Sequence, residues 1–495
     1  MNELPIRENS IEKEESSGMK RLASLDFQRG LAIWMMVFLH VFNHMIDYGD
    51  IGADDLFSTL GIGRSIFFAF SGYFGNWIGY FILISAIVNA FAFTKKVLNG
   101  KSSKKLFAKQ IMTGFGILFA GYFTESFGYY GYFGRVFRTG ETFTTAPWID
   151  PVNISFLWRR FFMLEALQTI GWCTIFTAIV LYFLFRKNGV EKYTRNIIIL
   201  AILTAIILIV SPFVWNAIDN LSIWNIPPDS ELIKFDFEGD YNKSWPSEFF
   251  QSYNRGFASF FCVIIAGDLY PMFPFLAVSF LGSLMGIALA IPNPPKRLPL
   301  WGLLLTIGIL IAGVICIFIP GLPFDITFER PTLGFFFFLL GGQVGIIVLL
   351  FWLIDWRGKG EKFAQNIIVK YFRVWGMVAL SIFALQIWSL VPRAIFNWTI
   401  PSMNLMIDKF AIGSEWPVIL FAIATILFYD LIIWIWAQIN FVGSFEWLII
   451  KFSGLATKEP SKRLNFKFVL NKIQWINYKE LFDNKKELAI ENKAV

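Results

Sequence analysis

Residues 21–47 read RLASLDFQRGLAIWMMVFLHVFNHMID, and this stretch decides what kind of molecule the rest must be. It opens on charged residues, continues as an apolar run too hydrophobic for a soluble surface, and holds the chain's two histidines, His40 and His44. At about 100° of rotation per residue, Arg29, His40, His44 and Asp47 share a narrow stripe on one side of a helix. A rise of about 1.5 Å per residue sets His40 roughly 16 Å beyond Arg29 and His44 roughly 22 Å beyond it. With Arg29 at one face of a hydrocarbon layer about 30 Å thick, His40 lies a little past the middle. An ionisable ring at that depth is costly, and by default it marks a site or a polar pathway.

The rest of the chain supplies the surroundings such a helix needs. Hydrophobic residues make up 56% and charged ones 16%, against about 25% charged in an ordinary soluble domain. That composition predicts an all-α, polytopic membrane bundle. Apolar runs long enough to cross fall at about 30–48, 65–93, 110–132, 162–185, 196–218, 270–291, 299–320, 332–354, 373–396 and 416–439, so about ten transmembrane helices are expected. The run 257–267 is too short to cross and reads as re-entrant or interfacial.

Loop charges set the topology. Lys95, Lys96, Lys101, Lys104, Lys105 and Lys109 cluster after the second run, and Arg357, Lys359, Lys362, Lys370 and Arg373 after the eighth. Intervening loops carry acids instead, such as Asp50, Asp54 and Asp55, or Asp229, Glu231 and Asp236. The positive-inside rule then makes both termini cytoplasmic and the acidic loops external, in a multi-pass protein of the cell membrane. Residues 1–20 read as a disordered cytoplasmic lead, 21–454 as the transmembrane domain, and 455–495 as a basic cytoplasmic tail that lies on the anionic inner leaflet or is loosely ordered. The net charge of +7 is absorbed by these lysines, so no nucleic-acid partner is implied. Cys173, Cys262 and Cys316 sit far apart in apolar runs and imply no disulfide framework. The HxxxH spacing of His40 and His44 has no evident third ligand, so no metal is expected.

A neutral imidazole can take a proton from an attacking amine or hydroxyl and return it to a leaving group. His40, with His44 one turn on and Asp47 nearly one turn further, has the makings of a base with an orienting partner; the alternative is hydrogen bonding to neighbouring helices or headgroups. Asp26 and Arg29, a turn before the membrane, read either as a dipole-favoured carboxylate with a topology-setting arginine or as a grip on phosphate. Two outer loops stay equally open. Residues 125–160, with Arg135, Arg138, Arg159 and Arg160, are a glycine-loosened loop or an anion- or sugar-contacting surface. Trp224, Trp245 and Tyr253 in 219–256 suit either sugar stacking or an interfacial belt.

Taken together, Arg21, Asp26, Arg29, Gly30, Ala32, Met36 and His40 resemble the first-helix signature of the transmembrane acyltransferase superfamily. That group includes heparan-α-glucosaminide N-acetyltransferase, the YeiB-like proteins and the acyltransferase-3 membrane proteins. FFMLEALQTIGW (161–172), LYPMFPFLAVSFLGSLMGIAL (269–289), WGMVALSIFALQ (375–386) and INFVGSFEWLIIKFSG (439–454) are similar, in order, to later YeiB-like segments. Ser444 and Phe383 stand where that branch usually has Pro and Tyr. His40 follows the acyltransferase-3 position, fourteen residues after Asp26, rather than the loop position of the heparan enzyme.

The resemblance implies transfer of an acetyl or other acyl group from cytoplasmic acyl-CoA to a glycan or glycolipid amine or hydroxyl at the outer face. His40 would be the catalytic base with His44 and Asp47 in support, and Asp26 and Arg29 would hold the donor. Bilayer lipids would be partners, and a homodimer is one compatible assembly. The competing classes are a transporter or flippase, which calls for repeats and broken helices, and a scaffold without chemistry.

Overall fold

In a bilayer every backbone amide and carbonyl must find its partner within the protein, so the apolar runs fold as helices. The computed structural model describes residues 20–47, 61–128, 131–139, 164–221, 257–267, 269–319, 330–399, 410–411, 415–457 and 464–482. Among the described residues, nine helices are long and apolar enough to cross a membrane. The chain is an all-α polytopic bundle.

The first helix, α1 (Ala23–Met45), ends in a two-residue strand, β1 (Ile46–Asp47), paired in parallel with β2 (Phe410–Ala411). The second apolar run, expected as one helix over 65–93, is two: α2 (Ile62–Gly75) and α3 (Ile78–Leu98). The break falls at Asn76 and Trp77, where the Asn76 amide turns back to the Gly72 carbonyl at 2.8 Å. There follow α4 (Ser103–Phe127), α5 (Tyr132–Thr139), α6 (Ala166–Phe185), α7 (Tyr193–Asp219), the short α8 (Phe257–Ala266), α9 (Met272–Ala290), α10 (Leu298–Ile317) and α11 (Leu333–Phe351). Ten-residue α8 is too short to cross, as its sequence suggests.

α9 is the innermost crossing, with 78% of its apolar window buried. Gly282 and Gly286, one turn apart, let its backbone lie against Leu83, Ala86, Ile87 and Ala90 of α3. Small residues in this spacing drive close helix packing where lipid removes any hydrophobic gain. α7 and α10 are peripheral, their windows 17% and 11% buried, and they turn Ile202, Ile206, Phe213, Leu304 and Ile311 outward to the acyl tails.

The ninth run, expected as a continuous helix over 373–396, is broken. It forms α12 (Gly360–Gln365), α13 (Ile367–Met377), α14 (Ala379–Ala384), a 3-10 turn (Gln386–Ser389) and α15 (Leu390–Thr399). The physical cause is Glu446. Its buried carboxylate accepts the Leu380 amide at 2.6 Å, the Ser381 amide at 3.2 Å and the Ser381 hydroxyl, which ends α13 and caps α14. The series still runs the depth of the bundle, from Arg373 against Trp475 to Arg393 against Met45. α16 (Glu415–Gln438) follows, and α17 (Phe445–Thr457) then starts deep, with Phe445 against Phe123, and descends α4 past Gly116. Ser444 caps α17 by accepting the Trp447 amide at 3.0 Å.

One end of the bundle gathers the lysine-rich segments, and the loop charges assign it to the cytoplasm. There α1 begins against fully buried Asp355, which accepts the amides of Ala23 at 2.8 Å and Ser24 at 3.2 Å. Residues 464–482 are packed on this end rather than spread on a leaflet. Arg21 exchanges backbone bonds with Gln474 and Ile476, the Tyr478 hydroxyl reaches the Leu289 carbonyl at 2.9 Å, and Asn465 caps α18 (Phe466–Asn471). Buried Trp475, Ile476 and Tyr478 explain the docking: their apolar area has a core to join.

Candidate functional site

α1 carries the site because it must lie close to the broken ninth crossing. At Gly30 a side chain would run into the Phe372 carbonyl, and Gly376 faces the Gly30 backbone from the other helix. Glycine at both positions lets the backbones meet. That contact fixes the depth at which Gln386 faces His40.

His40 is turned inward. Its Nδ1 lies 3.3 Å from Gln386 Oε1, and the Gln386 amide nitrogen lies 3.2 Å from the Met36 sulfur. With the amide nitrogen spent on sulfur, the amide oxygen faces the ring and calls for a proton on Nδ1. Nε2 is then left with its lone pair as the proton-accepting atom. His44 lies one turn on, its ring centroid 5.8 Å from that of His40 and its plane tilted by 34°. The two rings share a small pocket of about 30 Å³ with Gln386, Ser389, Arg393 and Tyr429. Asp47 is present as a backbone partner of Ala411, and its side chain lies outside the described residues. Arg135 and Arg138 fall on the short helix α5 with their side chains outside the described residues, and Arg159, Arg160, Trp224, Trp245 and Tyr253 lie outside them altogether.

At the other end of α1, Asp26 lies between two arginines, 3.4 Å from Arg21 and 3.5 Å from Arg29. Its carboxylate therefore positions guanidinium groups rather than holding an anion itself. Those groups face a recess of about 300 Å³ into which Lys20, Lys96 and Lys109 also turn, so five cations meet the single acid Asp26. The field of such a recess draws phosphate.

Between the two ends run further cavities. A pocket of about 170 Å³ shares Arg29, Asn89, Thr113 and Ile449 with the basic recess and is lined deeper by Phe81, Phe383 and Glu446. Phe81 and Phe383 also wall a larger chamber of about 380 Å³, which reaches His40. Recess, middle pocket, chamber and histidine pocket lie along α1 with neighbours sharing lining residues, and the chamber runs beside the middle pocket from Gln28 to His40.

His40 and His44 come together, as do Asp26 and Arg29, and each pair stands at a different end of one cavity series. Sequence reasoning missed four residues. Gln386 ends the motif 375–386 and Glu446 lies in the motif 439–454, so both were visible as motif letters without a role. Arg393, an arginine inside an apolar run, carries the usual signal of a costly buried charge. Glu165, just before α6, is likewise a letter of the motif 161–172 without a role, and it comes onto the chamber wall with His40. No protein-family model and no curated protein matches the chain.

Proposed function

We propose that the protein is a membrane acyltransferase that moves an acyl group from a CoA thioester, held at the basic end, to an amine or hydroxyl acceptor arriving from the opposite end. The observation that carries this reading is the series of neighbouring cavities, each lined in part by the same residues as the next, between a five-cation recess and half-buried His40. A donor with an anionic head and a slender, uncharged arm suits that sequence of environments. Arg29, Arg21, Lys96 and Lys109 hold the phosphates, and the arm passes Phe81 and Phe383 toward His40. Nε2 of His40 takes the acceptor's proton as the acceptor attacks the thioester carbonyl. The tetrahedral adduct collapses with loss of the CoA thiolate, which takes up the proton from the imidazolium. Gln386 keeps the ring in the tautomer this requires. An acceptor glycan or glycolipid is the class the first-helix resemblance favours.

A transporter or flippase is the second reading, favoured by the broken crossing over 367–399 and by α17, which starts deep in the bundle. The two separate in one assay. Purified protein is incubated with acyl-CoA, and free thiol is followed with and without sugar amines and alcohols. Acceptor-stimulated thiol release is expected. Neither release nor CoA binding would leave transport as the better account.

A further inference from the structure

The chamber of about 380 Å³ is far larger than an acetyl group needs. Protein interiors are packed like organic crystals, with few voids larger than a water molecule. On the scale by which an apolar cavity of about 150 Å³ admits benzene, this one admits about a dozen carbon atoms. Its shape is long. It is lined along one side of α1 from Gln28 to His40, twelve positions apart in the sequence, which is roughly 18 Å of helix.

Its chemistry is divided along that length. Leu31, Met35, Phe74, Ile78 and Ile346 give an apolar body. Of its polar wall groups, His40 and Glu165 stand toward the far end. Glu165 precedes α6, whose opposite end, Phe185, packs on Phe93 beside the basic recess, so Glu165 is remote from that recess. The floor is closed where the Tyr80 hydroxyl donates to Gln28 Oε1 at 2.6 Å. A hydrocarbon chain with a reactive carbonyl at one end matches this division. Only the side chains of Phe81 and Phe383 stand between the chamber and the pocket next to the basic recess, so a donor held in that recess has the chamber as its neighbour.

We infer that the chamber is an acyl-chain pocket, and that the group transferred is a medium-length acyl chain of about eight to twelve carbons rather than acetyl. The inference rests on the acyltransferase reading and specifies its donor. The thioester carbonyl lies at the His40 end, and the chain runs back along α1 toward Gln28. Each methylene removed from water adds to transition-state binding until the chamber is full.

The test is thiol release, in the presence of the sugar amines and alcohols, by the purified wild-type protein from acetyl-, butanoyl-, octanoyl-, decanoyl- and dodecanoyl-CoA, with the same series on Ala32→Phe, which fills the chamber wall. The expected kcat/KM rises at least tenfold from acetyl- to decanoyl-CoA. Ala32→Phe is expected to lose the long-chain preference while keeping acetyl-CoA turnover. The wild-type profile decides the matter by itself if the variant does not fold. Release fastest from acetyl-CoA, with Ala32→Phe indifferent, overturns the chain pocket and leaves the acyltransferase standing. No release from any member of the series overturns both.

Discussion

The two ends of α1 are built differently. At the basic end the helix is tied down by charge and backbone. Asp355 takes the first two amides, Arg21 exchanges backbone bonds with Gln474 and Ile476, and Asp26 joins Arg21 to Arg29. The far end includes softer ties. His40 meets a single amide oxygen, Gln386 and Arg393 approach the sulfurs of Met36 and Met45, and a two-residue bridge closes the helix. Thioether contacts are weak and adaptable. The difference separates tasks: a fixed basic platform suits binding a charged head, and a lightly tied histidine suits chemistry that needs small rearrangements.

That separation predicts opposite signatures for changes at the two ends. The largest effect is expected at His40. Replacing it by Ala should lower acyl transfer about a thousandfold, within the range for loss of a general base. CoA affinity, measured by equilibrium binding, should stay near wild type, because the basic recess is untouched. Unchanged turnover would remove His40 from the chemistry. A matching loss of CoA affinity would abolish the division between the ends.

How much of this was legible in the sequence follows the same division. The nine long helices were readable, because a bilayer allows little but helices, and so was the neighbourhood of His40 and His44 one turn apart, whereas Asp47, expected on the same helical stripe, lies past the end of α1 in β1. The breaks were not. Residues 373–396 are apolar throughout their core, and what interrupts them is a carboxylate 65 and 66 positions away in the chain. Likewise the tail 464–482 looked like a leaflet-lying segment, because the pocket that receives Trp475 and Tyr478 is made by α9, the segment after α11 and the start of α1. Long-range partners of this kind leave no local mark. Of the site, the helix-borne residues could be read, while Gln386 and Glu165 needed the bundle to bring them in.

Glu446 offers the next strongest test, since it holds the broken crossing that presents Gln386 to His40. Glu446→Ala strands two backbone amides and the Ser381 hydroxyl in a buried place, at a cost of about 3 kcal/mol. The expected outcome is a lower melting temperature together with reduced turnover, and CoA binding less affected than either. Glu446→Gln keeps one acceptor and should recover part of both. A variant as stable and active as wild type would show that the break is held by something other than this carboxylate.

The smallest effect should come from the basic end, because its work is shared. Arg29 is one of five cations around the recess, and it is already drawn toward Asp26 at 3.5 Å. Its removal therefore leaves four cations and releases Asp26 to repel an incoming phosphate. Arg29→Ala is expected to weaken CoA binding about tenfold, or about 1.4 kcal/mol. Turnover at saturating donor should be nearly unchanged, since uniform binding is lost and not transition-state binding. The recess is open to solvent ions, so the gap between variant and wild type should narrow as salt rises and the Debye length shrinks to about 3 Å near 1 M. A tenfold loss that ignores salt would mean that Arg29 acts by packing against Gly376 and the ninth crossing, and wild-type affinity would take it out of the donor site altogether.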